Sequence, residues 1–347
     1  MEVYLFMYAM PVLAMLVPPA ARNMRSWLWL LTGITFAFLI GFRFEVGGDW
    51  FSYIFHYRRM VGAPFESIWM QKDPGYAALN WLTAQVDGQI YLVNLVCGAI
   101  VMAGVIIFAR QQPRPLLALL VAIPYMIVVV AMGYTRQSVA LGFELLALVC
   151  LMKGRHWSFV LLIIFGALFH KSAVILLPLA ALASTKSRLW TWTWVGIVSI
   201  IMAWLLLAES QEHLWHHYVE RGRVSEGGGI RIAMNAIPAF LFLFNRKWMA
   251  KNDYEKKLWT WIAIFSLAGI PLVPFASTAV DRIALYFMPI QMFVFSRVET
   301  MIRGRNHRPL LRWGVVGGYA LVLWVWLNFA SHAGSWLPYR FPPFFNL

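Results

Sequence analysis

Between residues 43 and 53 the chain reads Arg43-Phe-Glu45-Val-Gly47-Gly48-Asp49-Trp50-Phe-Ser-Tyr53, its densest cluster of reactive side chains. One guanidinium, two carboxylates, paired glycines and aromatic rings follow directly on an apolar run. Asp49 is the first choice and Glu45 the second for a general base, a task that needs a carboxylate within hydrogen-bond reach of a hydroxyl. Both also suit cation binding or a salt bridge with Arg43. Gly47-Gly48 lets the backbone turn sharply and approach a ligand. Trp50 and Tyr53 suit stacking on a sugar face, and equally an aromatic belt at a membrane surface.

Five further pieces carry similar chemistry. Lys72-Asp73-Pro74-Gly75-Tyr76 predicts a helix start with Pro in its first turn, so Asp73 is a cap first and a catalytic or binding residue second. The amphipathic stretch after it would lie along a membrane face or dip into it. Arg136 and Gln137 fall in the first turn of another helix, where free N–H groups already favour anions. Glu144, two turns deeper, is expected to face the bundle as an interhelical hydrogen-bonding group. His170 and Lys171 interrupt a long apolar run, and a histidine beside a cation at a backbone break suits a phosphate or sugar contact. Arg282 and Tyr286 lie four apart on one helix face, with Asp281 expected to neutralise Arg282. In loop 209–230, Arg221 and Arg223 precede Gly227-Gly-Gly229, a lid able to close over a charged ligand. His213, His216 and His217 in the same loop lack a specific metal-ligand spacing, so no metal is expected.

These pieces hang on elements built for lipid. Of 347 residues, 61% are hydrophobic and only 13% charged, where a soluble domain carries about 25% charged. Apolar runs fall at about 1–18, 26–42, 90–109, 115–132, 135–152, 157–184, 190–208, 231–245, 258–276, 281–296 and 313–331. At ~20 residues per span the expectation is an all-α polytopic membrane protein. It has about 11–13 transmembrane segments in a single domain over 1–347, with outer loops about 43–89 and 209–230 and a cavity open to the outer side. The run 157–184 is too long for one span, and its break at His170-Lys171 predicts two short halves, re-entrant or spanning twice. Cys97 and Cys150 both sit in apolar runs, which excludes a disulfide framework. The first residues lack a basic leader and are expected to stay as the first span.

Loop charge sets the orientation. With residue 1 outside, segments 19–25, 110–114, 153–156, 185–189, 246–257 and 297–312 are cytoplasmic and carry 18 of the 29 basic residues, as the positive-inside rule requires. The other basic residues are nearly all arginine, and Arg43, Arg136 and Arg282 stand at the edges of apolar runs. A planar, permanently charged fork is what grips phosphate oxygens in two directions; snorkelling to headgroups is the competing use. The net charge of +14 therefore points to anionic phosphates and cytoplasmic loops, with no nucleic acid as partner.

Taken in order, the pieces resemble the EpsG family of Wzy-like polysaccharide polymerases. The points of similarity are Phe42-Arg43, Gly48-Asp49 and Tyr53, then Asp73-Pro-Gly-Tyr76, Arg136-Gln137, Phe169-His170-Lys-Ser172, Asp281-Arg282-Ile-Ala-Leu-Tyr286 and Pro338-Tyr339-Arg340. The chain departs from the family where Gly47-Gly48-Asp49-Trp50 stands in place of a Gly-Thr-Asp-Tyr pattern, losing a hydroxyl beside the aspartate. The resemblance implies a glycosyltransferase in a bacterial inner membrane, with its active site facing the periplasm or outside. It would polymerise undecaprenyl-diphosphate-linked oligosaccharide repeat units into exopolysaccharide, capsule or O-antigen. It implies no cofactor, and names membrane lipid, a chain-length regulator and a flippase of the same pathway as partners. In that chemistry Asp49, Glu45, Arg136 and His170 are the catalytic candidates. Arg43, Arg282, Arg223, Tyr53, Gln137, Tyr286, Tyr339, Arg340 and Asp73 are candidates for holding diphosphate or glycan. A membrane O-acyltransferase, a lipid-linked glycan transporter and a ligase are the competing functions.

Overall fold

The computed structural model describes residues 1–17, 26–183, 188–207, 228–302 and 305–342, and among them there is no β-strand. Helix is the expected solution, because in hydrocarbon every backbone N–H and C=O must find its partner within the segment. The order is α1 (Glu2–Leu16), α2 (Ser26–Gly41), α3 (Trp50–Met60), α4 (Pro74–Ala84), α5 (Gln89–Arg110), α6 (Pro115–Ala122, continued as a π-helix over Ile123–Ala131), α7 (Thr135–Met152), α8 (His156–Phe169), α9 (Leu179–Ala183), α10 (Arg188–Leu207), α11 (Gly228–Met249), α12 (Asp253–Ala268), α13 (Val273–Ala284), α14 (Pro289–Phe295) and α15 (Arg308–Phe329). Prolines open α4, α6 and α14, where the missing N–H costs nothing. Asn252 caps α12 by accepting from the Glu255 amide at 2.8 Å, and the Glu255 carboxylate reaches back to the Lys251 amide at 2.6 Å, a close relative of the capping box.

α7 forms the centre, packed on α5 and α8, with α2 against the far side of α5. The second half of the bundle gathers α12, α13 and α14 around α11, and α14 closes onto α6. Trp259 and Phe293 stack at 4.0 Å in its core.

Among the described residues three helices, α5, α7 and α15, are long and apolar enough to cross a membrane. Several other apolar runs form shorter helices, α1, α2 and α8 among them. The run 115–132 is not one uniform helix. It widens into π geometry around Pro124, and the Val128 carbonyl accepts the Trp336 indole N–H at 2.8 Å. The run 157–184 is broken as expected. His170 adopts extended backbone and ends α8, a 3-10 turn covers Lys171–Leu176, and α9 follows. The second half returns along the first, since His156 at the start of α8 lies beside the Ala180 backbone.

The loops sort onto two ends as the alternation predicts. At one end Arg114 and Arg312 share Glu299, Arg297 pairs with Glu255, and His156 stacks edge-on to Tyr254 at 5.8 Å. The other end holds residues 43–49, 72–76, 134–137, 170–172, 281–286 and the C-terminal segment.

Candidate functional site

The site grows from the turn after α2. Gly47 takes φ +104°, and a Cβ there would lie 2.1 Å from the Met132 carbonyl; only glycine allows this approach. Its amide donates to the Ser335 carbonyl at 2.8 Å. The turn is thereby fixed against the entrance to α7, and Asp49 follows as the first residue outside α3. Asp49 is half-buried, and both Arg282 and Arg136 act on it electrostatically. Burial raises its pKa above the ordinary carboxylate range, and the two arginines oppose that rise.

Arg136, in the first turn of α7, is the hub. Its Nη1 donates to Asp73 Oδ2 at 2.6 Å, and its guanidinium carbon lies 5.9 Å from the centre of the Tyr53 ring. Its amide donates to the Tyr53 hydroxyl at 3.5 Å, while its buried Nε has no acceptor. Asp73 is almost wholly buried and accepts from the Lys171 amide as well as from Arg136. Burial raises its pKa, against the pull of Arg136 and Lys171. Its carboxylate does not cap α4, because it is turned to Arg136 instead. Gly75 allows this placement: a Cβ there would come within 2.8 Å of Leu168, so segment 72–76 seats directly on the end of α8.

The break at His170 supplies the next wall. His170 is held within electrostatic reach of both Arg136 and Arg282, and Ser172 shares a 3.0 Å hydrogen bond with the Tyr286 hydroxyl. Gln137 donates to the Arg282 carbonyl at 2.8 Å, fixing the last turn of α13 against α7. Asp281 does not neutralise Arg282. It pairs at 2.6 Å with Arg231 of α11, which lies over the Tyr125 ring of the π-helix. Among the described residues Arg282 has no carboxylate within salt-bridge distance.

Asp49, Tyr53, Asp73, Arg136, Gln137, His170, Arg282 and Tyr286 therefore meet at one end of the bundle. Others stand apart. Arg43 is fully buried behind the site, donating to the carbonyls of Val46 and Ile40 and to Asn94 and Thr135, so it presents no donor set to a diphosphate. Its role is to lock the turn of Asp49 onto α5 and α7. Glu45 is exposed and paired with Arg340 at 3.0 Å, which takes both out of the cluster. Tyr339 donates to the Leu39 carbonyl at 2.7 Å and meets Tyr4 edge-on, a brace for the end of α2. Arg223 and the histidines of loop 209–230 lie outside the described residues.

Sequence reasoning missed His56. It sits one turn beyond Tyr53 on α3, against the rings of Tyr53 and Tyr76. Burial, then Arg136 and Arg59, lower its pKa to about 4, so the ring is neutral at physiological pH. Its i+3 spacing from Tyr53 was the available signal. Glu144 faces the bundle as expected and is fully buried, but its Oε2 is unpaired and so does not make the interhelical hydrogen bond expected of it.

The cluster thus brings a half-buried carboxylate, two guanidiniums and an imidazole within electrostatic reach of one another. That set can take a proton from a hydroxyl and stabilise an anionic leaving group. Residues 26–341 match the model of the EpsG family. No curated protein and no solved structure matches the chain.

Proposed function

Since the chain belongs to the EpsG family of Wzy-like polysaccharide polymerases, we propose that it is a membrane glycosyltransferase acting on undecaprenyl-diphosphate-linked repeat units. The growing glycan on one lipid diphosphate is the donor, and the next lipid-linked unit is the acceptor. A hydroxyl oxygen of the acceptor sugar attacks the donor's anomeric carbon. The bond from that carbon to the diphosphate breaks, its electron pair leaves with the diphosphate, and the hydroxyl proton passes to Asp49. Arg136 and Arg282 hold the departing charge, with Lys171 and His170 beside them. Asp73 aims Arg136, and Tyr53, buried against Tyr76 and His56 and so closed to a sugar ring, supports the Arg136 guanidinium.

The observation that supports this reading is that Asp49 is half-buried within electrostatic reach of two arginines from different helices. A base must be close to the leaving group's cations yet remain unpaired to act. The raised pKa of Asp49 strengthens it as a base. In this reading the helices form about 11–13 crossings of a bacterial inner membrane, and the site end faces the periplasm or outside. The basic ends at 110–114, 246–257 and 297–312 support that orientation.

The test is the glycan size profile of a host lacking the gene, complemented with wild type or with Asp49→Asn. Wild type should restore long polymer, and Asp49→Asn should leave single repeats with normal protein in the membrane. Near-normal polymer from Asp49→Asn removes the base. Unchanged length with a missing acyl group would mean an acyltransferase, single repeats retained on the cytoplasmic side a transporter, and full-length polymer left on its lipid a ligase.

A further inference from the structure

The layer that carries Tyr53 and Asp73 has a second face. On α3 the residues at 50, 53 and 60 are buried, while Phe51, Phe55, Arg58 and Arg59 share the exposed side. Phe51 is 71% exposed and Phe55 59%. The 3-10 turn Phe65–Ile68 and its successors continue the pattern, with Trp69 69% and Met70 82% exposed next to the exposed Lys72. Arg59 joins the two pieces: its guanidinium covers the Phe55 ring at 4.8 Å and its Nη1 donates to Gln71 at 3.3 Å.

These helices are not spans. Eleven residues reach only ~17 Å, about half of a ~30 Å hydrocarbon core, and the strip carries three cations. Bulky apolar side chains alternating with arginine and lysine on a short helix fit the boundary between headgroups and acyl chains. Here that boundary adjoins the site, because the opposite side of the same helix presents Tyr53 to Arg136.

Building on the polymerase reading, we propose that the strip Phe51, Phe55, Trp69 and Met70, rimmed by Arg58, Arg59 and Lys72, seats the long polyisoprenoid tail of a lipid-linked substrate where it enters the site from the bilayer. The apolar side chains would hold the tail and the rim cations would guide its diphosphate toward Arg136 and Arg282. Charge complementarity and the shared helix point to this occupant: the ligand must be apolar along its length and anionic at the end nearest the site.

The test compares two substrates in purified full-length protein in nanodiscs. Both carry the same repeat unit, one on a long polyisoprenoid diphosphate and one on a short, water-soluble isoprenoid diphosphate. Two variants are used, Phe51→Ser with Phe55→Ser, and Trp69→Gln with Met70→Gln. Each should raise KM for the long-tailed substrate by about tenfold, as loss of apolar contact area predicts, with kcat kept and the short-tailed substrate unaffected. Turnover of the short-tailed substrate doubles as the check that the variants fold. Equal loss on both substrates, or no change on either, overturns the inference. Failure of wild type on both overturns the polymerase reading itself, and this inference with it.

Discussion

Arg136→Ala removes two functions at once, and the structure says how to separate them. The first is structural. Arg136 is the ion-pair partner of Asp73 at 2.6 Å, and Asp73 is only 8% exposed. Removing one member of a buried pair typically costs 3–5 kcal/mol. The Arg136 side chain is 28% exposed, so solvent screening brings the expected loss to about 2–3 kcal/mol. The second function is charge stabilisation of the departing diphosphate, where loss of one donor group costs about 10²–10³ in turnover. The double variant Arg136→Ala with Asp73→Asn removes the stranded carboxylate. Its thermal midpoint and membrane abundance should return most of the way to wild type, while polymerisation stays down by about 10²–10³. The assay pairs thermal denaturation in detergent with gel analysis of polymer made from lipid-linked units. Activity that recovers together with stability in the double variant would refute a direct role for Arg136 and leave it a strut for Asp73.

The pKa of Asp49 gives a prediction of opposite sign for stability and activity. Because burial raises it in the folded state, its stabilising contribution is present below the ordinary carboxylate range and is lost as pH rises through the raised value. At pH 7 Asp49→Asn should therefore melt no lower than wild type while losing polymerisation, and wild-type activity should fall as pH drops through the raised pKa; a clearly lower midpoint for the asparagine variant would sink this. Gly47→Ala should be poorly tolerated, since its Cβ meets the Met132 carbonyl at 2.1 Å, whereas at Gly48 the nearest atoms are those of the Trp336 ring at 3.9 Å; comparing membrane abundance of Gly47→Ala and Gly48→Ala checks it. Tyr286→Phe and Ser172→Ala each break the same 3.0 Å hydrogen bond, so each should cost about 1 kcal/mol. The double variant should cost little more than either alone, as a thermal double-mutant cycle would measure.

Much of the site was legible because alternation of spans fixes which loops share an end. Asp49, Asp73, Arg136, His170 and Arg282 come from segments that the apolar runs and loop charges put on one side, and they do meet. The break at His170 was legible for a related reason: a run too long for one span, interrupted by a histidine and a lysine, has to turn. Partner choice was not legible. Asp73 looks like a helix cap from its neighbours, and only a contact with a residue 63 positions away turns its carboxylate to Arg136. Asp281 next to Arg282 reads as a local ion pair, yet two adjacent helical residues do not face each other, and Asp281 reaches across to α11. The π-helix after Pro124 left no periodic signature in a stretch that is apolar at every position from Ile123 to Ala131.

The arginines show what kind of information was missing. Arg43, Arg136, Arg282 and Arg297 all stand at edges of apolar runs, and by type and location they are alike. They differ in how many of their donors the protein itself consumes. Arg43 meets four acceptors and Arg297 five, the latter including the Met249 and Phe293 carbonyls and Glu255. A guanidinium so occupied is a strut, since presenting it to a ligand would strand several buried acceptors. Arg136 spends Nη1 on Asp73 while its side chain stays 28% exposed, and Arg282 has no carboxylate within salt-bridge distance among the described residues. A planar fork held in place but not used up is what a passing diphosphate needs, because its charge is then fixed before the reaction begins. The division between structural and functional arginine therefore follows from donor occupancy, a property of long-range packing. It predicts that Arg43→Lys lowers membrane abundance, whereas Arg282→Lys preserves abundance and lowers turnover.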